Sequence, residues 1–373
     1  MKEVFIVADN IVSPLGYTSA DNFTQLSNSN SGISLHENEE FFPAPFYASL
    51  FGKRKPFKPS KVHTMFEQLL ITSITEALSQ VKIDPADKRT GLIISSTKGN
   101  INLLETDELT DELKERMTLH SSAKLVADHF SFANKPIIIS HACVSGLLGI
   151  ITGMRLLQQG VYDNVVVSGA DIITKFVLTG FQSFQAISDE PCKPFDANRK
   201  GITLGEGAAT VILSTQKGSI KVCSGAVSND ANHISGPSRT GKELYQAIQQ
   251  ALQDAGMDAK NIDMISAHGT ATIYNDDMES KAINLAGLQQ VPVNSLKGYY
   301  GHTLGAAGLI ESVISIHSMK TNTMIPTKGF TVPGTAESIN VCSTLQPGLL
   351  NTCLKTASGF GGCNAAVVFQ KTA

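Results

Sequence analysis

The amino-acid sequence predicts a layered α/β fold made of two similar halves. Three observations carry this. Short β-branched runs alternate with segments of helical periodicity, the pattern of helices packed on sheets. Several runs, such as TGLIISS (90–96), KPIIIS (135–140) and DNVVVSG (163–169), are apolar almost throughout, as strands covered on both faces are. The chain also echoes itself. GEGAATVILS (205–214) and GGCNAAVVFQ (361–370) are both glycine-led apolar strands. The segments 137–159 and 291–319 both run from a strand through a short polar loop into a helix rich in Gly and Ala. Two Gly/Ala-rich segments can match by coincidence. A duplication instead predicts halves of 1–214 and 215–373 whose small-residue helices pack closely together.

In chain order, β-branched content places strands at 3–8, 90–96, 135–140, 163–169, 208–214, 220–228, 263–267, 291–295 and 365–370. Helical patterning between them places helices at 62–80, 121–130, 144–159, 241–255, 276–286 and 305–319.

The chain's 373 residues, 42% hydrophobic and 17% charged, suit a globular protein with a large core. A net charge of −3 argues against a nucleic-acid partner. Six cysteines without paired spacing suit neither a disulfide framework nor a zinc site, and a reducing cytoplasm is expected. No apolar stretch has the length of a membrane span.

Cys143, in SHACVSGLLG (140–149), stands between an apolar strand and a helix opening. There the helix dipole and unpaired N–H groups favour thiolate, which makes a nucleophile. A free cysteine is equally often a small buried hydrophobe. His268 in ISAHGTAT and His302 in KGYYGHTLG follow apolar strands, in loops of the kind where α/β sheets gather chemistry. Each alone could be a hydrogen-bonded structural histidine. Their matching contexts favour a joint role.

Together HACVSG, GADIIT, KPFDANRKGITLGEGAA, AHGTAT, KGYYGHTLGAAGLIES and GFGGCNAAVVF resemble the β-ketoacyl-acyl-carrier-protein synthase family, elongating condensing enzymes of the thiolase superfamily. The motifs run in the family's order from about residue 90 to the C-terminus, and IVSPLG near the start is similar. The resemblance implies a thiolase fold, a duplicated five-layer αβαβα arrangement. It implies decarboxylative Claisen condensation of an acyl thioester with malonyl-acyl carrier protein, in fatty-acid, polyene or polyketide-type synthesis. Residue by residue, Cys143 matches the acyl-accepting nucleophile and His268 and His302 the pair that assists decarboxylation. Lys297 matches the motif lysine, expected near His302, and Glu311 the supporting glutamate. Phe360 matches the gating residue whose N–H joins that of Cys143 in the oxyanion hole, and Thr270 and Thr272 line the pantetheine tunnel. No metal or cofactor is implied beyond the carrier's phosphopantetheine. The expected assembly is a homodimer, or a heterodimer with a related ketosynthase subunit.

An acidic carrier protein would favour a basic surface. Lys58 and Lys61, in GKRKPFKPSK, and Lys193 before PFD are the candidates; a solvated basic loop explains the run as well. The chain also departs from the family pattern. Segment 95–143 is short, His141 stands where a small polar residue is usual, Ser358 replaces an aromatic, and Tyr300 is large for its place. These features suggest a divergent member. A thiolase would carry a C-terminal CxG, whereas Cys363 is followed by NAA; an initiating synthase would show Asn for one histidine. A noncatalytic chain-length-factor-like subunit remains the alternative, although such chains typically lack the cysteine retained here.

Overall fold

The computed structural model describes residues 2–38, 41–52, 57, 60, 62–105, 107–231 and 236–372; Lys58 and Lys61 lie outside the described residues. Among the described residues ten strands join in one mixed sheet: β1 (Phe5–Val12), β2 (Thr90–Ser95), β3 (Ile137–Ile139), β4 (Asn164–Asp171), β5 (Gly207–Ser214), β6 (Ile220–Asn229), β7 (Met264–Ser266), β8 (Val293–Asn294), β9 (Thr352–Gly359) and β10 (Cys363–Lys371). Their order is β8-β7-β9-β10-β6-β1-β5-β4-β2-β3. From β1 outward the first five strands run 1-5-4-2-3, and from β6 outward the others run 6-10-9-7-8, the same order shifted by five. The pairing sense repeats too: two antiparallel junctions, then two parallel ones, on each side. A short antiparallel contact, Phe5 with Lys221 and Ile6 with Ile220, joins the two sets.

Helices α1 (Met65–Ser79), α2 (Leu119–His129), α3 (Ser145–Gln158), α4 (Lys175–Ser183), α5 (Lys242–Ala255), α6 (Ile273–Leu285) and α7 (Ala307–Thr321) follow in chain order; all but α4 pack on this sheet, and α4 joins a separate small core with Phe46 and Ile202. Helices α3 and α7 lie between the two half-sheets and share one apolar core with both. Their glycines are what allow this. A Cβ on Gly146 would stand 2.9 Å from the Gly305 carbonyl oxygen, and one on Gly308 would stand 2.7 Å from the Leu147 nitrogen. Helices α1 and α2 cover the outer face of the first half-sheet, and α5 and α6 that of the second. The result is five layers, helix on sheet on helix on sheet on helix.

Strand β9 was not expected. Its sequence, TCLKTASG, reads as polar, yet all eight residues are buried, because its polar side chains find partners inside: Ser358 donates to Asn364 at 2.8 Å and Lys355 meets Glu311. Helix α4 was also missed. Thr174 caps it by accepting from the Val177 N–H at 3.1 Å. Sequence patterning also left out the short helices Ser19–Ser27, Asp111–Met117 and Lys297–Tyr300, a small three-stranded sheet and a two-stranded one.

Candidate active site

The nucleophile candidate is set at a sharp corner. After β3, Ala142 takes a left-handed conformation (φ 47°), and Ser145 holds the corner by accepting from the His141 N–H at 2.7 Å and donating to the Ala142 carbonyl at 2.6 Å. This leaves Cys143 just before α3, 8% exposed, with the Phe360 N–H hydrogen-bonded to its sulfur. Gly359 makes the approach possible, since a Cβ there would lie 3.1 Å from the Cys143 nitrogen. The helix position predicts a thiol shifted toward thiolate; burial works the other way and prevails. It pushes the Cys143 thiol up to about 11, with the Lys297 charge opposing and Asp171 adding to the rise.

Each histidine is fixed through its backbone and through Nδ1. His268 follows β7, and Glu279 on α6 accepts from the N–H groups of His268 (2.7 Å) and Gly269 (2.6 Å). Asp276, one turn earlier, accepts from Thr270 and Ala271. The Lys297 Nζ lies 2.6 Å from the His268 carbonyl oxygen, 3.3 Å from its Nδ1 and 2.6 Å from Glu311 Oε1. Sequence expectation placed Lys297 by His302; its short helix instead turns it toward His268, while the pairing with Glu311 is as expected. His302 donates its backbone N–H to the Thr203 carbonyl, and its Nδ1 accepts from the Leu304 N–H at 3.1 Å.

These contacts assign the tautomers. An ammonium and an amide N–H can only donate, so both Nδ1 atoms accept and both rings carry their proton on Nε2. Both rings are held well below the ordinary histidine range, by burial first and then by the Lys297 charge, and are neutral. Their centroids are 5.1 Å apart at 82°, and one nitrogen of each ring and the Cys143 sulfur lie within 4.8 Å of one another. Two buried ammoniums nearby, Lys297 and Lys355, oppose a cation at this point. The arrangement suits a developing anion.

A cavity of about 340 Å³ runs from exposed Phe184 and Tyr274 down to Cys143, His268 and His302. Thr270 and Thr272, their hydroxyls 3.0 Å apart, form part of its wall. Phe360 also lines it, its ring 5.8 Å from Phe181 and 5.5 Å from Phe184. Lys193 is not among the lining residues, and its Nζ is engaged by Glu190 at 2.7 Å; Lys200 is the lysine on the cavity wall. Of the departures from the family pattern, Ser358 lines the cavity, the His141 ring meets the Cys363 sulfur, and Tyr300 is fully enclosed.

Four buried residues escaped sequence reasoning. Glu279 and Asp276 stand three apart on α6, a spacing that puts two acids on one face beside the His268 loop; that signal was readable. Asp171 ends β4 and accepts from Ser96, Thr97 and the Gly305 N–H, tying the first half-sheet to the His302 loop. Lys355 sits on the unexpected strand β9.

The comparisons agree with this geometry. Residues 1–218 match the model of the β-ketoacyl synthase N-terminal domain and residues 220–331 that of the C-terminal domain. The 3-oxoacyl-[acyl-carrier-protein] synthase 2 of Vibrio harveyi is 28% identical, the match covering 100% of this chain and 99% of the relative, and that of Staphylococcus aureus is 27% identical over 99% and 98%. The crystal structure of a β-ketoacyl synthase from Burkholderia phymatum superposes with a TM-score of 0.91 at 25% identity, covering 100% of both chains. The ketosynthase ApeO of Xenorhabdus doucetiae, solved with its chain length factor ApeC, superposes equally well at 24% identity, over 100% of this chain and 98% of that one. With both domain models matched in order and the five layers reproduced, the chain belongs to the β-ketoacyl synthase family of condensing enzymes, built on the thiolase-like fold.

Proposed function

We propose that this enzyme is a β-ketoacyl-acyl-carrier-protein synthase that joins an acyl thioester to malonyl-acyl carrier protein. The observation that carries the reading is the convergence of the Cys143 sulfur, the Phe360 N–H and two neutral imidazoles at the buried end of one cavity. In the first half-reaction Cys143 attacks the acyl thioester carbonyl, and the N–H groups of Phe360 and Cys143 hold the tetrahedral oxyanion. The bond to the carrier thiol breaks, and the proton lost by Cys143 ends on that thiol. In the second, malonyl thioester loses carbon dioxide. The electron pair released forms an enolate, and the Nε2–H groups of His268 and His302 donate to its oxygen. The enolate carbon attacks the acyl carbonyl, and Cys143 leaves as thiolate to be reprotonated.

In this reading Lys297 and Glu311 orient His268, Thr270 and Thr272 guide the pantetheine arm, and Phe360 gates the cavity. The names of the relatives support an acyl carrier protein as partner. Lys193 and Lys200 are paired with Glu190 and Asp189, so the basic run of the sequence that holds Lys58 and Lys61 is kept as the carrier candidate on its charge alone. The open edge of β3, lined by three half-buried isoleucines, supports pairing with a second copy or a related ketosynthase subunit. The repeated strand order supports 1–214 and 215–373 as the duplicated units, and six free cysteines suit the cytoplasm. Fatty-acid, polyene and polyketide-type chains all fit this chemistry. Supplying acyl-carrier and malonyl-carrier thioesters together tests the reading. A β-ketoacyl-carrier product with one carbon dioxide per condensation is expected; binding of carrier without product would indicate a noncatalytic chain-length-factor-like subunit instead.

A further inference from the structure

Two buried ammonium groups bracket Glu311. Lys297 lies 2.6 Å from Oε1 and Lys355, from the middle of β9, lies 2.8 Å from Oε2; neither lysine is more than 1% exposed. Lys355 also donates to the carbonyls of Ser266 (3.1 Å), Ala267 (3.3 Å) and Thr356 (2.7 Å). Lys297 donates to the next carbonyl, that of His268. Three consecutive carbonyls leading into the histidine are thus gripped by two ammoniums that share one carboxylate. Burying an ammonium is costly, and an apolar residue of similar length would fill the space more cheaply. Lys355 does not line the cavity, so substrate contact does not explain it.

Resting on the condensation reading above, we propose that Lys355 is a positioning residue for the histidine pair: through Glu311 and the Ser266 and Ala267 carbonyls it fixes the His268 loop, and it sets a second positive charge behind both rings. The charged and titratable groups around those rings are Lys297, Lys355 on β9, Glu311 on α7, Glu279 on α6, Asp171 at the end of β4 and the Cys143 thiol. Lys355 adds to the effect of burial and Lys297 in keeping both imidazoles neutral. Without it, Glu311 and Glu279 face Lys297 alone. A positive charge has then been removed, so the rings take up protons at higher pH. A second proton on His302 would set an Nδ1–H against the Leu304 N–H and break the seat of the ring.

The test uses Lys355→Met, with two readouts beside its folding. One is acyl transfer to Cys143, by intact mass. The other is carbon dioxide release from malonyl-carrier thioester as a function of pH. Acyl transfer should stay within about threefold, because it rests on the oxyanion hole. Carbon dioxide release should fall about tenfold, with its acid limb moved up by about one pH unit. A folded variant whose limb has not moved, or whose two half-reactions fall alike, overturns the proposal. Should Lys355→Met fail to fold, Lys355→Arg decides. It keeps the charge without matching all four contacts, so the limb should stay in place while carbon dioxide release slows; a moved limb, or an equal loss in both half-reactions, counts against the role. Absence of carbon dioxide release by the unaltered enzyme would overturn the condensation reading and this inference with it.

Discussion

The Nζ of Lys297 stands 2.6 Å from the carbonyl oxygen of His268 and 3.3 Å from its Nδ1, so one ammonium fixes both the backbone and the tautomer of that histidine. Lys297→Met should therefore lower decarboxylation by about 100-fold while leaving acyl transfer to Cys143 within a few-fold. Release of carbon dioxide and the intact mass of the acyl-enzyme separate the two. Equal loss of both would mean that Lys297 serves the fold as a whole.

Removing either ring should divide the half-reactions in the same way. His268→Ala and His302→Ala should lose carbon dioxide release first, because enolate stabilisation needs both Nε2–H donors. If acylation disappears completely in one variant, that histidine is the base that takes the Cys143 proton.

Gly359→Ala probes the oxyanion hole without touching a functional side chain. The new methyl would sit 3.1 Å from the Cys143 nitrogen, tighter than ordinary contact, and must spread the two N–H donors apart. Acylation should slow about tenfold with the fold intact. An unchanged acylation rate would show that the Phe360 N–H is not needed there.

The strand order of the two halves was half legible. The echo between 205–214 and 361–370 matched β5 to β10, and the second echo matched β3 to β8. Strand β9 was hidden because Lys355, Thr356 and Ser358 look like surface residues; only their internal partners make them core. Duplication could have exposed it, since β4 demands a counterpart immediately before the last strand. Cys143, His268 and His302 were readable as types in loops. What brings them within 4.8 Å is the packing of α3 on α7, and no local pattern encodes that distance. The sequence displays the helix start beside Cys143 and not the burial around it, so it leaves a dipole-activated thiolate and a buried thiol equally open.

That last difference is measurable. Burial raises the Cys143 thiol to about 11 against an ordinary 9.0. Alkylation of Cys143 by iodoacetamide should still be accelerating as pH passes 9, whereas a dipole-activated thiolate would react at a rate already level near neutrality. Peptide mass spectrometry after timed labelling distinguishes the two profiles.

Stability carries its own pH signature through Asp9 on β1. Burial would raise its carboxyl, yet His317 at 2.8 Å and Lys320 at 3.2 Å on α7 outweigh that and hold it at about 2. A depressed carboxylate contributes stability above its unfolded value of 3.8, and the contribution is lost as pH falls from there toward 2. Asp9→Asn should cost on the order of 2 kcal/mol at neutral pH. The gap between variant and parent, read from denaturant midpoints, should close in acid; a gap that persists below pH 2 would assign the loss to packing.

On the proposed mechanism Cys143 carries the growing chain, and intact-mass spectrometry after incubation with an acyl-carrier thioester reads this out. A single added acyl group is expected on the peptide containing Cys143, absent from Cys143→Ala. Cys143→Gln, whose amide oxygen can occupy the oxyanion hole, should still release carbon dioxide from malonyl-carrier thioester. No mass gain, or an acyl group on another residue, would contradict the mechanism.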